Sequence, residues 1–124
     1  MATITTLDIV RLTASELQHA LSTEKLTSVD LVKASLAQID RHNSKGLTLR
    51  AVISVAPNDI VLGRAAMLDA ERARGKVRGP FHGIPVLLKD AVKTHSDLGM
   101  PTALGPSGLL SLQKAVVKTC CSRL

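Results

Sequence analysis

Tryptophan and tyrosine are absent from this chain, and Phe81 is its sole aromatic residue. The absence removes the stacking platform on which proteins hold single-stranded nucleic acid. It also obliges the core to be built from Leu, Val, Ile and Ala. Cysteine is almost as scarce: Cys120 and Cys121 are adjacent and near the C-terminal end. Neighbouring cysteines cannot easily adopt relaxed disulfide geometry, and no His or acidic residue follows them at ligand spacing. Reduced thiols in a cytoplasmic protein are the simplest expectation. No apolar run approaches the roughly 18 residues needed to span a bilayer. Residues 1–12 mix Thr, Asp and Arg with apolar residues, without the basic stretch and apolar core of a secretory leader. Neither a membrane nor a nucleic-acid partner is expected, and no metal or cofactor.

What is present fits a soluble globular domain. The 124 residues have the length of one ordinary domain. At 45% hydrophobic and 21% charged they lie within the globular range. The net charge of +6 comes partly from Arg64, Arg72, Arg74, Lys76 and Arg78. This cluster has two readings, a polyanion patch or a solvated helix face with basic residues near its C-terminal dipole. The second is simpler and is preferred.

Local patterns place three helices. Thr13-Ala14-Ser15-Glu16 has capping-box spacing, and Leu17, Ala20 and Leu21 then line one helical face. Thr27-Ser28-Val29-Asp30 repeats the start signal, followed by Val32, Leu36 and Ile39 at helical spacing, with Asn43 to Gly46 as the stop. Asn58 or Asp59 is expected to cap a third helix carrying Leu62, Ala65, Ala66, Leu68 and Ala70, to Arg74 and Gly75. Leu49 to Val55 is short, rich in β-branched residues and followed by Pro57, so it reads as a strand. Residues 94–108 are loop-like, with Gly99, Pro101, Gly105 and Pro106. No internal repeat, low-complexity stretch or domain boundary is visible.

The most informative stretch runs Gly79-Pro80-Phe81-His82-Gly83-Ile84-Pro85-Val86-Leu87-Leu88-Lys89-Asp90. Ile84 to Leu88 is a short apolar run bounded by turn residues, which reads as a buried strand, covered on both faces. Lys89 then sits at the strand's end, where α/β folds commonly present functional groups. Burial of an ammonium disfavours its charge, and a neutral lysine is a base. Taken alone, a Lys-Asp pair at a strand end is more often a solvated exit.

With Met100-Pro101-Thr102 downstream, and Leu26 to Val32 and Leu68 to Arg72 upstream in matching order, the chain strongly resembles the amidase signature family. The resemblance runs from about residue 13 to about 110. It implies an α/β fold: the N-terminal part of the amidase-signature fold, with helices packed on a mixed β-sheet. Residues 1–124 then form one incomplete domain, with 119–124 an atypical tail. The family form usually has Leu at the position of Phe81, and Asn then Ile at Ala91 and Val92. It implies hydrolysis of carboxamide C–N bonds, other than peptide bonds, by a Ser–cis-Ser–Lys triad with Lys89 as general base. The substrate would be a small-molecule amide. The His-Gly-Ile-Pro-Val-Leu-Leu-Lys-Asp form looks closer to general or peptide-type amidases than to the transfer-RNA amidotransferase subunit.

The family's two catalytic serines lie in glycine-rich segments well downstream of the lysine, and these 124 residues contain no such run. Ser96, Ser107 and Ser111 lack that context. A truncated gene model or a shifted frame near the end is expected, and the chain alone is expected to be inactive and partly unfolded or self-associated. The alternative reading is a non-catalytic pseudoenzyme fragment or an interaction module that pairs through unfilled sheet edges. Among the histidines, His19 and His42 read as surface residues, and His82 as a shaper of the turn into the strand by analogy with the family. His95 reads as a loop residue.

Overall fold

The computed structural model describes residues 9–90, 92 and 94–100. Within them lie three α-helices, α1 (Ala14–Ser22), α2 (Ser28–His42) and α3 (Asn58–Ala73), followed by a single 3-10 turn at Ser96–Leu98. The first two begin where the sequence signals them. Thr13 Oγ1 accepts from the Glu16 amide, while the Glu16 carboxylate accepts from the Thr13 amide at 2.7 Å. Thr27 and Asp30 repeat the exchange at the head of α2. Each box satisfies two otherwise orphaned donors of a helix start. The first of them holds the Glu16 carboxyl below the usual carboxylate range, chiefly through the Thr13 backbone bond. The start of α3 differs from expectation by one residue: its cap is Pro57, with no side-chain hydrogen bond, and Asn58 is already helical. At its far end the helix stops at Ala73, with Gly75 at a φ of +74°.

Two apolar clusters hold these elements together. Leu17, Ala20 and Leu21 of α1 meet Leu26, Leu31 and Ile84 in the first. Val32 joins Ala56, Val61, Ala65 and Met100 in the second, with Val29, Leu36, Leu88 and Leu98 packed against it. Leu31 and Val32 are neighbours in sequence, so α2 stands between the clusters with one on either side. It packs directly on α3. The face of α1 is the expected one. On α3 the buried residues are Val61, Ala65 and Leu68, whereas Ala66 and Ala70 are exposed.

Neither expected strand has a ladder among the described residues, so the mixed sheet is not seen here. Residues 49–55 are irregular. Arg50 takes a φ of +47°, which no pleated strand accommodates, and Ile53 is 81% exposed. The backbone of Val52 is paired instead by one side chain. The Asn43 amide donates to the Val52 carbonyl at 2.8 Å and accepts from its N–H at 2.9 Å. An amide group presents a donor and an acceptor side by side, as a neighbouring strand would.

Residues 84–88 depart from expectation in their covering. Ile84 is buried in the first cluster and Leu88 packs against the second, but Leu87 between them is 68% exposed. Leu87 borders a cavity whose walls also include Val32, Leu36 and Ile39 of α2. A strand buried on both faces needs a second layer and lateral neighbours, and no ladder partner is present among the described residues.

Candidate active site

The lysine segment is fastened at both ends. Upstream, residues 79–83 form a tight turn in which the His82 amide donates to the Gly79 carbonyl and the Ile84 amide to that of Phe81. Gly83 takes a φ of +84°, and a Cβ built on it would stand 2.1 Å from Ser28 Oγ at the start of α2. Only glycine fits both the left-handed backbone and the close approach. Downstream, the chain turns directly after the lysine, with the Val92 amide donating to the Lys89 carbonyl at 2.9 Å. Residues 98–100 then fold back, so that Leu98 and Met100 reach the second cluster. Gly99 lies so near the Pro57 ring that a Cβ there would be 3.0 Å from it.

Lys89 emerges between these anchors and is exposed. Like Leu87 two residues before it, Lys89 is not enclosed by the described residues. Burial of the ammonium therefore requires residues other than those described. Beside it the segment lines an apolar cavity of about 340 Å³ with Val32, Leu36, Ile39, Val55, Val86 and Leu87 among its walls.

The remaining candidates are scattered. His19 is exposed, as expected, and His95 is an exposed loop residue 3.2 Å from Asp97. His42 is partly covered and lies against Gly46. His82 is 1% exposed, and its ring bonds backbone groups of α3 and of the loop that follows. Ala91, Lys93, Ser107, Ser111 and both cysteines lie outside the described residues. Among the described residues no group of three His, Cys, Asp or Glu is placed to hold a metal ion, and no helix is long and apolar enough to cross a membrane.

The basic cluster is not uniformly a solvated face. Arg72 is partly buried and donates to the His82 carbonyl at 2.7 Å and to Gln18 Oε1 at 3.2 Å. Arg78 grips the Glu71 carboxylate through two guanidinium nitrogens. That hydrogen bonding is the main reason the Glu71 carboxyl is held below its usual range. Sequence reasoning missed the inward roles of Gln18, Asp69 and Arg72. Asp69 and Arg72 lie in the resemblance-bearing segment Leu68 to Arg72, which was the available signal; Gln18 carried none.

Comparison with known proteins agrees with this layout. An amidase family profile matches residues 30–114, more than half of the chain, with Lys89 inside the match. A glutamyl-tRNA(Gln) amidotransferase subunit from Streptomyces avermitilis is 36% identical over 103 residues, covering 83% of this chain and 19% of the relative. The peptide amidase of Stenotrophomonas maltophilia superposes with a TM-score of 0.67 at 40% identity, over 81% of this chain and 19% of that one. An amidase family protein from Bacillus anthracis gives a TM-score of 0.69 at 36% identity and the same coverage. The chain thus spans about a fifth of the length of the proteins it matches.

Proposed function

The chain belongs to the amidase signature family, and from that membership we propose that it supplies the lysine-bearing part of an active site that hydrolyses carboxamide C–N bonds, with Lys89 as general base. The observation that carries this reading is the segment itself. The family match spans it, and Lys89 emerges exposed between two fastened ends. The substrate proposed is a small-molecule amide whose scissile bond is not a peptide bond, in a protein found in the cytoplasm.

A serine hydroxyl becomes a useful nucleophile only when a base takes its proton. A lysine can do so only as the neutral amine, and burial in an apolar setting favours that form. The exposed side of Leu87 and Lys89 is where the rest of an amidase domain would pack, in the mixed sheet expected of the fold. That packing would desolvate the ammonium and bring up the two serines. A bridging serine would relay the proton, and backbone N–H groups beside the nucleophile would stabilise the oxyanion. The 124 residues by themselves offer a base without that partner, and members of a triad act as a unit.

A second reading, an interaction module without catalysis, draws on one observation: Leu49, Ile53 and Leu87 are each more than half exposed. Purified chain, assayed on simple aliphatic and aryl amides, separates the two readings when compared with the same chain fused to the downstream four-fifths of the Stenotrophomonas peptide amidase. No turnover alone and turnover in the fusion is the expected result. A correctly folded fusion that stays inactive would favour the module.

A further inference from the structure

The proposed chemistry does not use the buried imidazole of His82, yet its surroundings define it closely. Nε2 lies 2.9 Å from the Leu68 carbonyl in α3, and Nδ1 lies 3.3 Å from the backbone nitrogen of Arg78. A carbonyl can only accept and a backbone N–H can only donate. The neutral ring protonated at Nε2 satisfies both partners; the other tautomer satisfies neither.

The same residue's carbonyl is a second junction. It accepts from Arg72 of α3 at 2.7 Å and from Gln18 of α1 at 2.9 Å, and Arg72 and Gln18 are themselves bonded. The next residue, Gly83, lies against Ser28 of α2. Asp69, next to Leu68, accepts from the Ser28 and Val29 amides at 2.7 and 3.2 Å, which ties α3 to the head of α2. All three helices therefore converge where Ile84–Lys89 departs.

We propose that His82, held as the Nε2–H tautomer, is a positioning residue whose ring and carbonyl fix the point and direction from which the lysine segment leaves the helices. Its bearing on Lys89 rests on the reading of that lysine as the base; the tautomer and the clasp stand without it. Six residues separate the ring from Lys89, and between them Gly83 lies against Ser28 while Ile84 and Leu88 pack on the two apolar clusters. A displaced origin would carry the ammonium with it.

The test uses the full 124-residue chain, labelled with 15N at histidine. Long-range proton–nitrogen correlation at neutral pH should show His82 with a protonated Nε2 and a bare Nδ1. An averaged signal at His82, or a protonated Nδ1, overturns the proposal, including when the cause is an unfolded chain. His82→Phe should speed hydrogen exchange at the Arg78 amide about tenfold, as expected for one lost hydrogen bond. His82→Asn, which keeps an acceptor near the Nδ1 position, should restore protection. Gln18→Ala, removing one donor at the His82 carbonyl, covers the case in which the phenylalanine variant fails to fold. Both Phe and Ala variants should shift the amide resonances from Gly83 to Lys89. If those resonances stay in place, His82 positions nothing. In the active fusion, Lys89→Ala that leaves turnover intact would sink the base reading while leaving the tautomer result standing.

Discussion

Gly83 is the residue at which the turn, the helix start and the lysine segment meet, and it has no tolerance for a side chain. Alanine there would carry a left-handed strain of about 1–2 kcal/mol besides the collision with Ser28 Oγ. Urea unfolding of Gly83→Ala should show that loss or more. Adding Ser28→Ala should recover the steric part and leave the strain. Full recovery would mean that φ at this position is not held at +84°. Two carboxylates make the acid limb of stability predictable in sign. Glu16 and Glu71 are both held below the ordinary value by their hydrogen bonds, with Thr13 and Arg78 respectively. A carboxyl lowered in the folded state adds stability that is present above its unfolded value and is lost as pH falls through the folded one. The contribution should therefore fade below about pH 4.5, the reference value for glutamate. Glu71→Gln should flatten the acid-side slope of urea stability while leaving the chain folded at neutral pH. An unchanged slope would mean that the Arg78 pair does not persist in solution.

Among the elements, the segment after α2 shows how a strand-like sequence can be satisfied without a strand. Asn43 supplies Val52 with the pair of bonds that a neighbouring strand would provide. Asn43→Ala should cost about 1–3 kcal/mol, the range for leaving such groups unpaired. It should also raise hydrogen exchange at the Val52 amide before any amide of α2 or α3 responds. Helix starts were legible because Thr13 with Glu16, and Thr27 with Asp30, are local devices whose partners lie three residues apart. The third start was missed by one residue because its cap, Pro57, makes no side-chain hydrogen bond and so carries none of the usual capping signal. The apolar run before Lys89 was legible as a feature, but its covering was not. Burial of Leu87 depends on what packs above it, which periodicity cannot state. Arg72 was misread for the related reason that a basic residue in a basic cluster gives no local sign of the carbonyl awaiting it. That carbonyl belongs to His82, ten residues on.

At the scale of the molecule, several large apolar side chains among the described residues stand in solvent. Leu87, Leu49 and Ile53 are exposed at 68%, 61% and 81%, and Leu87 and Leu49 also border a second cavity beside α2, of about 590 Å³. Exposed apolar surface of this kind drives association. Light scattering of the 124-residue chain should therefore show concentration-dependent self-association, reduced by Leu87→Lys with Ile53→Lys. A monomer with a sharp, cooperative thermal transition at all concentrations would instead mark an independent module. The identity of the family, by contrast, was available from the sequence, because the twelve residues from Gly79 to Asp90 are a contiguous motif. Which residues complete the site was not, because a triad is assembled by topology from distant segments.

The central claim is that Lys89 is the base, and it is tested most directly by steady-state amide hydrolysis in the fusion with the downstream part of a peptide amidase. Lys89→Ala should lower kcat at least about a thousandfold, as expected when one member of a cooperating triad is removed. Lys93→Ala, four residues away, should leave kcat within a few-fold, since a solvated lysine contributes no proton transfer. Equal losses at both positions, or an active Lys89→Ala enzyme, would contradict the account and return Lys89 to an ordinary charged residue at the end of an apolar run.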